Sequence, residues 1–353
     1  MEYIDSMSVI NLASMFNEIS TSAAEDQFGG DPEVNGNIMD VYCRVVDKIG
    51  LDATWIGFSI GLERISENCV RDKYGRVFQL SPHGEPVPKQ GPLQQPDDLK
   101  VLDLKEKVEY KDFESPRYVT KELPKLAHFL NIPDPFKEAW RLRGGMENFL
   151  TDLIKQPSFA HDLLRLTVNY LLHVIDHALE VTPEIYFIMD GDLAQEKNTL
   201  ISPSHYRKFI KPLHKEIVEY VHQLGAKIIK HTDGDAWSII DDFVEVGFDG
   251  FHPVQPQCMD IKEVKRHLES KMCVIGNIDC RELLPNGNKA EIIQSVRETL
   301  DAAAPGGGYI LSSSNSIHPG VDPQNYLTMV NTAREYGKYG QLRKNSLDVR
   351  SSE

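Results

Sequence analysis

The sequence predicts an α/β fold, a (β/α)8 TIM-type barrel built as one domain. Three observations point there. From about residue 127 onward, short apolar runs alternate with longer segments whose apolar residues recur at three- and four-residue spacing, the pattern of strands followed by helices. The strands are apolar nearly throughout rather than alternating with polar residues, so both faces are covered, as in a parallel sheet. Seven strands can be counted along the 353 residues, nearer to the eight of a barrel than to a typical open sheet, and this length is ordinary for a single-domain barrel. The eighth strand has no placement from sequence.

Taken in order, residues 1–35 read as an N-terminal extension with little periodicity beyond Val9–Ile19, and the barrel is assigned to residues 36–340. Asp52–Phe58 is the first strand. Residues 69–120 are rich in Pro, Gly and charge and include a small hairpin at Lys73–Leu80. They could not bury a core alone, so they form an insertion over the barrel. Ala127–Ile132 is the second strand. Phe159–Glu180 is a long helix, followed by the strand Glu184–Asp190, which ends on a carboxylate. Ser202-Pro203 opens a helix over Ser204–Leu224, kinked at Pro212 because proline removes a backbone donor. The series continues with strand Ala226–His231, helix Trp237–Val246, strand Gly250–Val254 and helix Ile261–Glu269. Strand Met272–Ile278, helix Lys289–Ala303, strand Gly308–Ser312 and helix Gln324–Tyr336 complete it, before a polar tail at 341–353.

Composition narrows the function. With 38 basic and 53 acidic residues the net charge is −15, which opposes nucleic-acid binding, where a basic face supplies most of the affinity. No run is long and apolar enough to cross a membrane, and no basic amphipathic stretch suggests a membrane surface. The N-terminus lacks the basic flank and apolar core of a signal peptide. The five cysteines are scattered, with no C-x-x-C pair. Reduced thiols in a cytoplasmic protein are therefore expected.

In a βα barrel, catalytic groups lie just past the carboxyl ends of the strands. Here those positions are polar at successive strands: Asp190 and Asp192; Lys230, His231 and Asp233; His252; Asn277 and Asp279; Asn315 and His318. His231 and Asp233 carry the sharpest signal. Side chains at i and i+2 of an extended segment face the same way, so this imidazole and carboxylate can grip one ion, with N/O ligation suited to zinc or another divalent metal. Plainer readings stand beside these. The aspartates can cap helices, His252 before Pro253 can be a satisfied core histidine, and the His231–Asp233 pair can be a simple hydrogen bond that fixes a substrate-binding or proton-donating imidazole. Trp55, Phe58, Met189 and Phe251 are candidates for an apolar lining.

Residues 184–338 resemble the C-terminal half of the uroporphyrinogen decarboxylase superfamily. The resemblance is carried by Gly276-Asn277-Ile278-Asp279, by Ala304-Pro305-Gly306-Gly307-Gly308-Tyr309-Ile310-Leu311 and by Asn315-Ser316-Ile317-His318-Pro319. Ile201-Ser202-Pro203 and Lys230-His231-Thr232-Asp233-Gly234 are also similar, and weaker matches at Asp52–Ser59 and Trp140–Asp152 extend it over most of the chain. The resemblance implies a TIM-type barrel with one of two activities. The decarboxylase members use an Arg-rich N-terminal loop and an aspartate near the first strands. Here residues 1–35 contain no arginine, and Ser59 stands where the aspartate aligns. The corrinoid-linked methyltransferases hold zinc with His-x-Cys and a distant Cys. Here His231 matches the first position, Asp233 replaces the second and Asn315 the third.

The favoured expectation is therefore a methyltransferase moving a methyl group from a small methylated substrate (ether, amine or similar) to a corrinoid protein, assisted by a metal at His231 and Asp233. No Asp-x-His-x-x-Gly signature is present, so the corrinoid would come on a partner protein. Catalytic roles fall to His231, Asp233, Asp190 and His252. Substrate binding falls to Trp55, Phe58, Ser59, Asp192, Lys230, Asn277, Asp279, Asn315 and His318. A homodimer is compatible with this reading. The alternatives are a cofactor-free porphyrinogen decarboxylase, which needs a basic cleft drawn from Lys230, Arg141 and Arg143, and a non-catalytic binding barrel.

Overall fold

The computed structural model describes residues 32–80 and 86–338. The predicted extension up to residue 31 and the tail from 339 lie outside the described residues. The first helix, Pro32–Ile49, begins inside the stretch assigned to the extension.

Seven parallel strands form one sheet in the order β1 (Ala53–Ile56), β6 (Ala127–Pro133), β7 (Tyr186–Asp190), β10 (Ile228–His231), β11 (Gly250–His252), β12 (Cys273–Ile278) and β13 (Tyr309–Ser313). Each strand pairs with the next in the chain of the barrel, as βα repetition requires. The sheet curls. Trp55 of β1 packs edge-on against His231 of β10 and His252 of β11, with ring centroids 5.5 and 5.2 Å apart. Strands remote in the sheet order thus share one lumen, which confirms the TIM-type architecture. Among the described residues no eighth strand joins this sheet.

Strand parity sorts every side chain. Ala53, Trp55, Phe129, Ile188, Ile229 and Ile275 point inward and make a small core of their own. Their neighbours Leu130, Phe187, Met189, Ile228 and Phe251 point outward and pack under the helices in the main core. Met189 and Phe251 are therefore not pocket residues, a correction to the apolar lining read from sequence.

The insertion opens with a four-stranded antiparallel meander, β2 (Glu63–Ser66), β3 (Cys69–Arg71), β4 (Val77–Leu80) and β5 (Pro86–Gln90), and continues through short 3-10 turns to the helix Glu114–Glu122. It begins at Glu63 rather than 69, because the exposed strand β2 carries no apolar signal. A short hairpin, β8 (Ala194–Gln195) with β9 (Asn198–Thr199), sits in the loop after β7. The predicted helix 204–224 is interrupted. Residues Tyr206–Ile210 adopt π geometry ahead of the helix Lys211–Gln223. Pro212 offers no N–H to the preceding turn and its ring crowds the carbonyl four residues back, and the wider π turn accommodates both.

Candidate active site

The pocket lies at the carboxyl ends of the inward-facing strands, a cavity of about 410 Å³, within the range of small-molecule sites. The strand ends β7 and β10 build its centre. Their parallel register sets His231 beside Asp190, and the i, i+2 rule then places Asp192 and Asp233 on the same side. Glycines allow these loops to pack closely. A Cβ on Gly191 would lie 2.4 Å from Asp134 Cβ, and one on Gly234 would lie 2.5 Å from the Gln195 backbone. Gly234 also has φ of +86°, a conformation natural to glycine.

His231 Nε2 faces three carboxylates: Asp190 Oδ1 at 3.8 Å, Asp192 Oδ1 at 3.8 Å and Asp233 Oδ1 at 3.9 Å. These separations exceed hydrogen bonds. On its other side His231 Nδ1 meets His252 Nδ1 at 2.8 Å, a contact in which one nitrogen must carry the proton. Asn315 Nδ2 donates to Asp233 Oδ2 at 2.6 Å, and the Asp233 N–H donates to Asp192 Oδ1 at 2.9 Å. Asp233 Oδ1 is buried without a hydrogen-bond partner.

Electrostatics separate the acids. Burial would raise Asp190, but Lys137, whose Nζ donates to both its oxygens at 2.8 Å, and His231 hold it well below the usual carboxylate range. Burial pushes Asp233 up to about 6, with His231 opposing and the charges of Asp192 and Asp190 reinforcing. Burial also drives His252 well below the ordinary histidine value, so it is neutral.

Ligand atoms of Asp192, His231 and Asp233 lie within 4.8 Å of one another. One imidazole nitrogen and two carboxylate oxygens, one of them orphaned, are a donor set that fits a divalent metal of zinc type or a harder ion.

Trp55, Phe58, Asp190, Asp192, His231, Asp233 and Asn315 all line this cavity, and His252 stands behind His231. Other expected residues stand elsewhere. Lys230 points outward and is fully buried, its Nζ held by Asp134 Oδ2 and the Gly191 carbonyl at 2.7 Å and by the His231 carbonyl at 2.8 Å. It is a structural cation, not a substrate contact. Ser59 is exposed and accepts from the Gly61 N–H at 3.2 Å in a turn. Asp279 caps the following turn through the Arg281 N–H at 2.8 Å. His318 spends Nε2 on the Cys280 carbonyl and Nδ1 on the Gly320 N–H. Asn277 is buried in β12, off the pocket wall. Arg143 binds Asp152 and the Leu93 carbonyl, which leaves Arg141 as the member of that pair on the pocket.

Arg76, Asn131, Lys137 and Glu138 line the pocket too, and sequence reading passed over them. Lys137, Glu138 and Arg141 belong to the helix Pro135–Leu142, which Asp134 caps through the Phe136 N–H. The strand-end rule, applied after β6 as it was after β7, would have found them. Arg76 comes from the insertion, ion-paired to Asp72 and Glu138, and no local pattern marks it.

A parallel barrel whose carboxyl end gathers an imidazole and three carboxylates around one gap is an α/β-barrel protein of the kind that builds its site from βα loops. Residues 35–336 match the family model described as uroporphyrinogen decarboxylase (URO-D), and the chain belongs to that family. Among curated relatives it is 22% identical over 166 residues to a methylated-thiol–coenzyme M methyltransferase of Methanosarcina mazei, covering 47% of this chain and 42% of that one. It is 24% identical over 216 residues to a methylcobamide:CoM methyltransferase of Methanosarcina acetivorans, covering 61% and 59%. The chain thus spans about half the length of these two relatives. It is also 23% identical to a uroporphyrinogen decarboxylase of Chlorobium phaeobacteroides, over 68% of each chain. The solved structure of a methyltransferase from Methanosarcina mazei superposes with a TM-score of 0.64 at 17% identity, covering 95% of this chain and 100% of that one. No helix among the described residues is long and apolar enough to cross a membrane.

Proposed function

We propose that this protein is a methyltransferase that takes a methyl group from the heteroatom of a small methylated substrate and delivers it to a corrinoid borne by a partner protein. The observation that carries the reading is the gap before His231 Nε2, bounded by three carboxylate oxygens at 3.8–3.9 Å, with Asp233 Oδ1 left unbonded. Asp192, His231 and Asp233 would hold a divalent metal there, zinc or a harder ion, which when bound supplies Lewis acidity to the leaving heteroatom. The likeness to two methyltransferases, one of them acting on methylcobamide by its name, supports this choice.

The chain's own residues prepare the site. With its Nε2 given to a metal, His231 would carry its proton on Nδ1 and donate it to Nδ1 of neutral His252, which would orient the ring. Asn315 fixes one oxygen of Asp233 and so aims the other at the gap. Lys137 keeps Asp190 ionised as a negative neighbour to His231. Trp55 and Phe58 close one wall with apolar surface, which keeps water from the methyl group.

The decarboxylase reading fares less well. A porphyrinogen polyacid needs several cations, and the pocket's cations are mostly engaged: Lys137 with Asp190, Arg76 with Asp72 and Glu138. Elemental analysis of the protein purified without chelators, wild type beside His231→Ala, tests the proposal. Near-stoichiometric divalent metal in the wild type, lost in the variant, is expected. A metal-free wild type sinks the metal-assisted mechanism and leaves His231 as a proton donor among carboxylates.

A further inference from the structure

We propose that Arg141 docks a carboxylate carried by the methylated substrate, which makes the substrate class methylated organic acids rather than neutral methyl compounds. This deepens the methyl-transfer reading of the same pocket and rests on it.

Lys137 and Arg141 stand four residues apart on the helix Pro135–Leu142, hence on one face, and both line the cavity. The pocket's other cations are engaged. Lys137 Nζ is held by both oxygens of Asp190, and Arg76 is held by Asp72 and Glu138. Asp192 and Asp233 face His231. Arg141 remains. Among the described residues its side chain makes no hydrogen bond or ion pair, and its Nε is shielded from solvent without a partner. Its guanidinium lies 5.8 Å from the ring centroid of Trp140, a stacking partner that leaves the in-plane N–H groups unused.

A guanidinium stays charged in proteins, and a shielded N–H without an acceptor is uncommon in a folded chain. Its fork matches a carboxylate in two parallel hydrogen bonds. Glu138, Arg76 and Asp190 all act on Arg141 electrostatically; Arg76 is already held by Asp72 and Glu138, so the surroundings are net negative and a monoanion is favoured over a phosphate dianion. Asp190 also approaches His231. A substrate with its anion at Arg141 therefore extends along Asp190 toward the gap at His231, between the apolar side chains of Trp55 and Phe58.

The test is ligand-observed NMR titration of the full chain, as purified, with 4-methoxybenzoate and methoxyacetate, each beside its primary amide. At least one acid is expected to bind about tenfold more tightly than its amide, and added salt should weaken the acid alone. Arg141→Gln should abolish the preference by weakening the acid and not the amide. Arg141→Lys keeps the charge but loses the fork; it should weaken the acid part-way and serves if the Gln variant does not fold. Equal binding of acids and amides, no binding of either acid, or a preference that survives in folded Arg141→Gln overturns the subsite. Methyl transfer to cob(I)alamin, supplied as the acceptor, is scored separately. Acid preference without methyl transfer keeps the subsite and removes the methyltransferase reading. Methyl transfer from acids and amides alike does the reverse.

Discussion

Lys230 and His231 are adjacent in β10, yet only the imidazole reaches the pocket, because consecutive strand residues face opposite sides. Sequence reading took both for site residues. The position past the strand core was legible, but which side each faced depended on a register that the sequence leaves unmarked. His231 and Asp233 were legible together because the i, i+2 relation holds in either register. Lys230 instead closes a buried trio with Asp134 and His214, whose Nε2 lies 2.8 Å from Asp134 Oδ2. Burial would raise Asp134, but His214 and Lys230 keep it ionised. Lys230→Met removes the cation and strands that carboxylate in the core, so a loss of about 3–5 kcal/mol is expected in urea unfolding. The metal content of the folded fraction should not change. A loss under ~1 kcal/mol would show that the buried trio does not depend on Lys230, and a metal-depleted folded variant would show that Lys230 serves the pocket after all.

At the scale of elements, the loops decide where the chemistry sits. The helices were readable from periodicity, and one from its opening residue: Ser202 accepts from the His205 N–H. Asn288 and Asp322, which sequence reading did not single out, cap their helices in the same way. The insertion was readable as a polar interruption, but its delivery of Arg76 to the pocket was not, since a long-range contact between a hairpin turn and Glu138 leaves no trace in local pattern. The loop Asp190–Asp192 shows how tightly position is set. Its middle residue is glycine, and a methyl group there would meet Asp134 Cβ at 2.4 Å and Lys137 Cβ at 3.0 Å. Both neighbours are bound to buried or half-buried partners and cannot yield cheaply. Gly191→Ala should therefore cost about 1–3 kcal/mol from overpacking. It should also push both flanking carboxylates out of place, so that metal content drops although no ligand has been changed. Paired unfolding and elemental analysis check this. Full metal occupancy in a folded Gly191→Ala variant would mean that the loop tolerates the shift and that its geometry is not what holds the site.

Over the whole molecule, the parallel barrel was legible because buried strands and amphipathic helices alternate with little interruption. The eighth strand was not, and among the described residues it does not pair into the sheet. The folded barrel buries ionisable groups on every side, so its stability follows pH in a direction that can be worked out. His128 shows the logic. Its Nε2–H donates to the Leu123 carbonyl at 3.0 Å and its Nδ1 accepts from the Thr54 hydroxyl at 2.8 Å. This arrangement needs the neutral ring. Burial lowers its pKa in the folded state, and burial lowers that of His214 likewise. In the unfolded chain a histidine titrates near ~6.5. As pH falls through that value the unfolded state takes up protons that the folded state refuses, and stability declines. Asp134 and Asp190 add a second decline. Their folded pKa values are depressed, so the stability they contribute is complete above the ordinary carboxylate value of about 3.9 and is lost as pH falls below it. Asp233 opposes the first decline, because its raised pKa lets the folded state gain protons near pH 6. A single substitution separates the histidine contribution from the rest. His128→Gln keeps one acceptor and one donor in similar places but does not titrate. The stability of the wild type relative to this variant should fall between pH 8 and pH 5, by about 1.4 kcal/mol for each unit of depression in the folded pKa. Urea midpoints measured for both proteins at pH 8, 6.5 and 5 decide it. Curves that stay parallel over this range would mean that His128 accepts a proton in the folded barrel as readily as in the unfolded chain, against the burial and bonding described here.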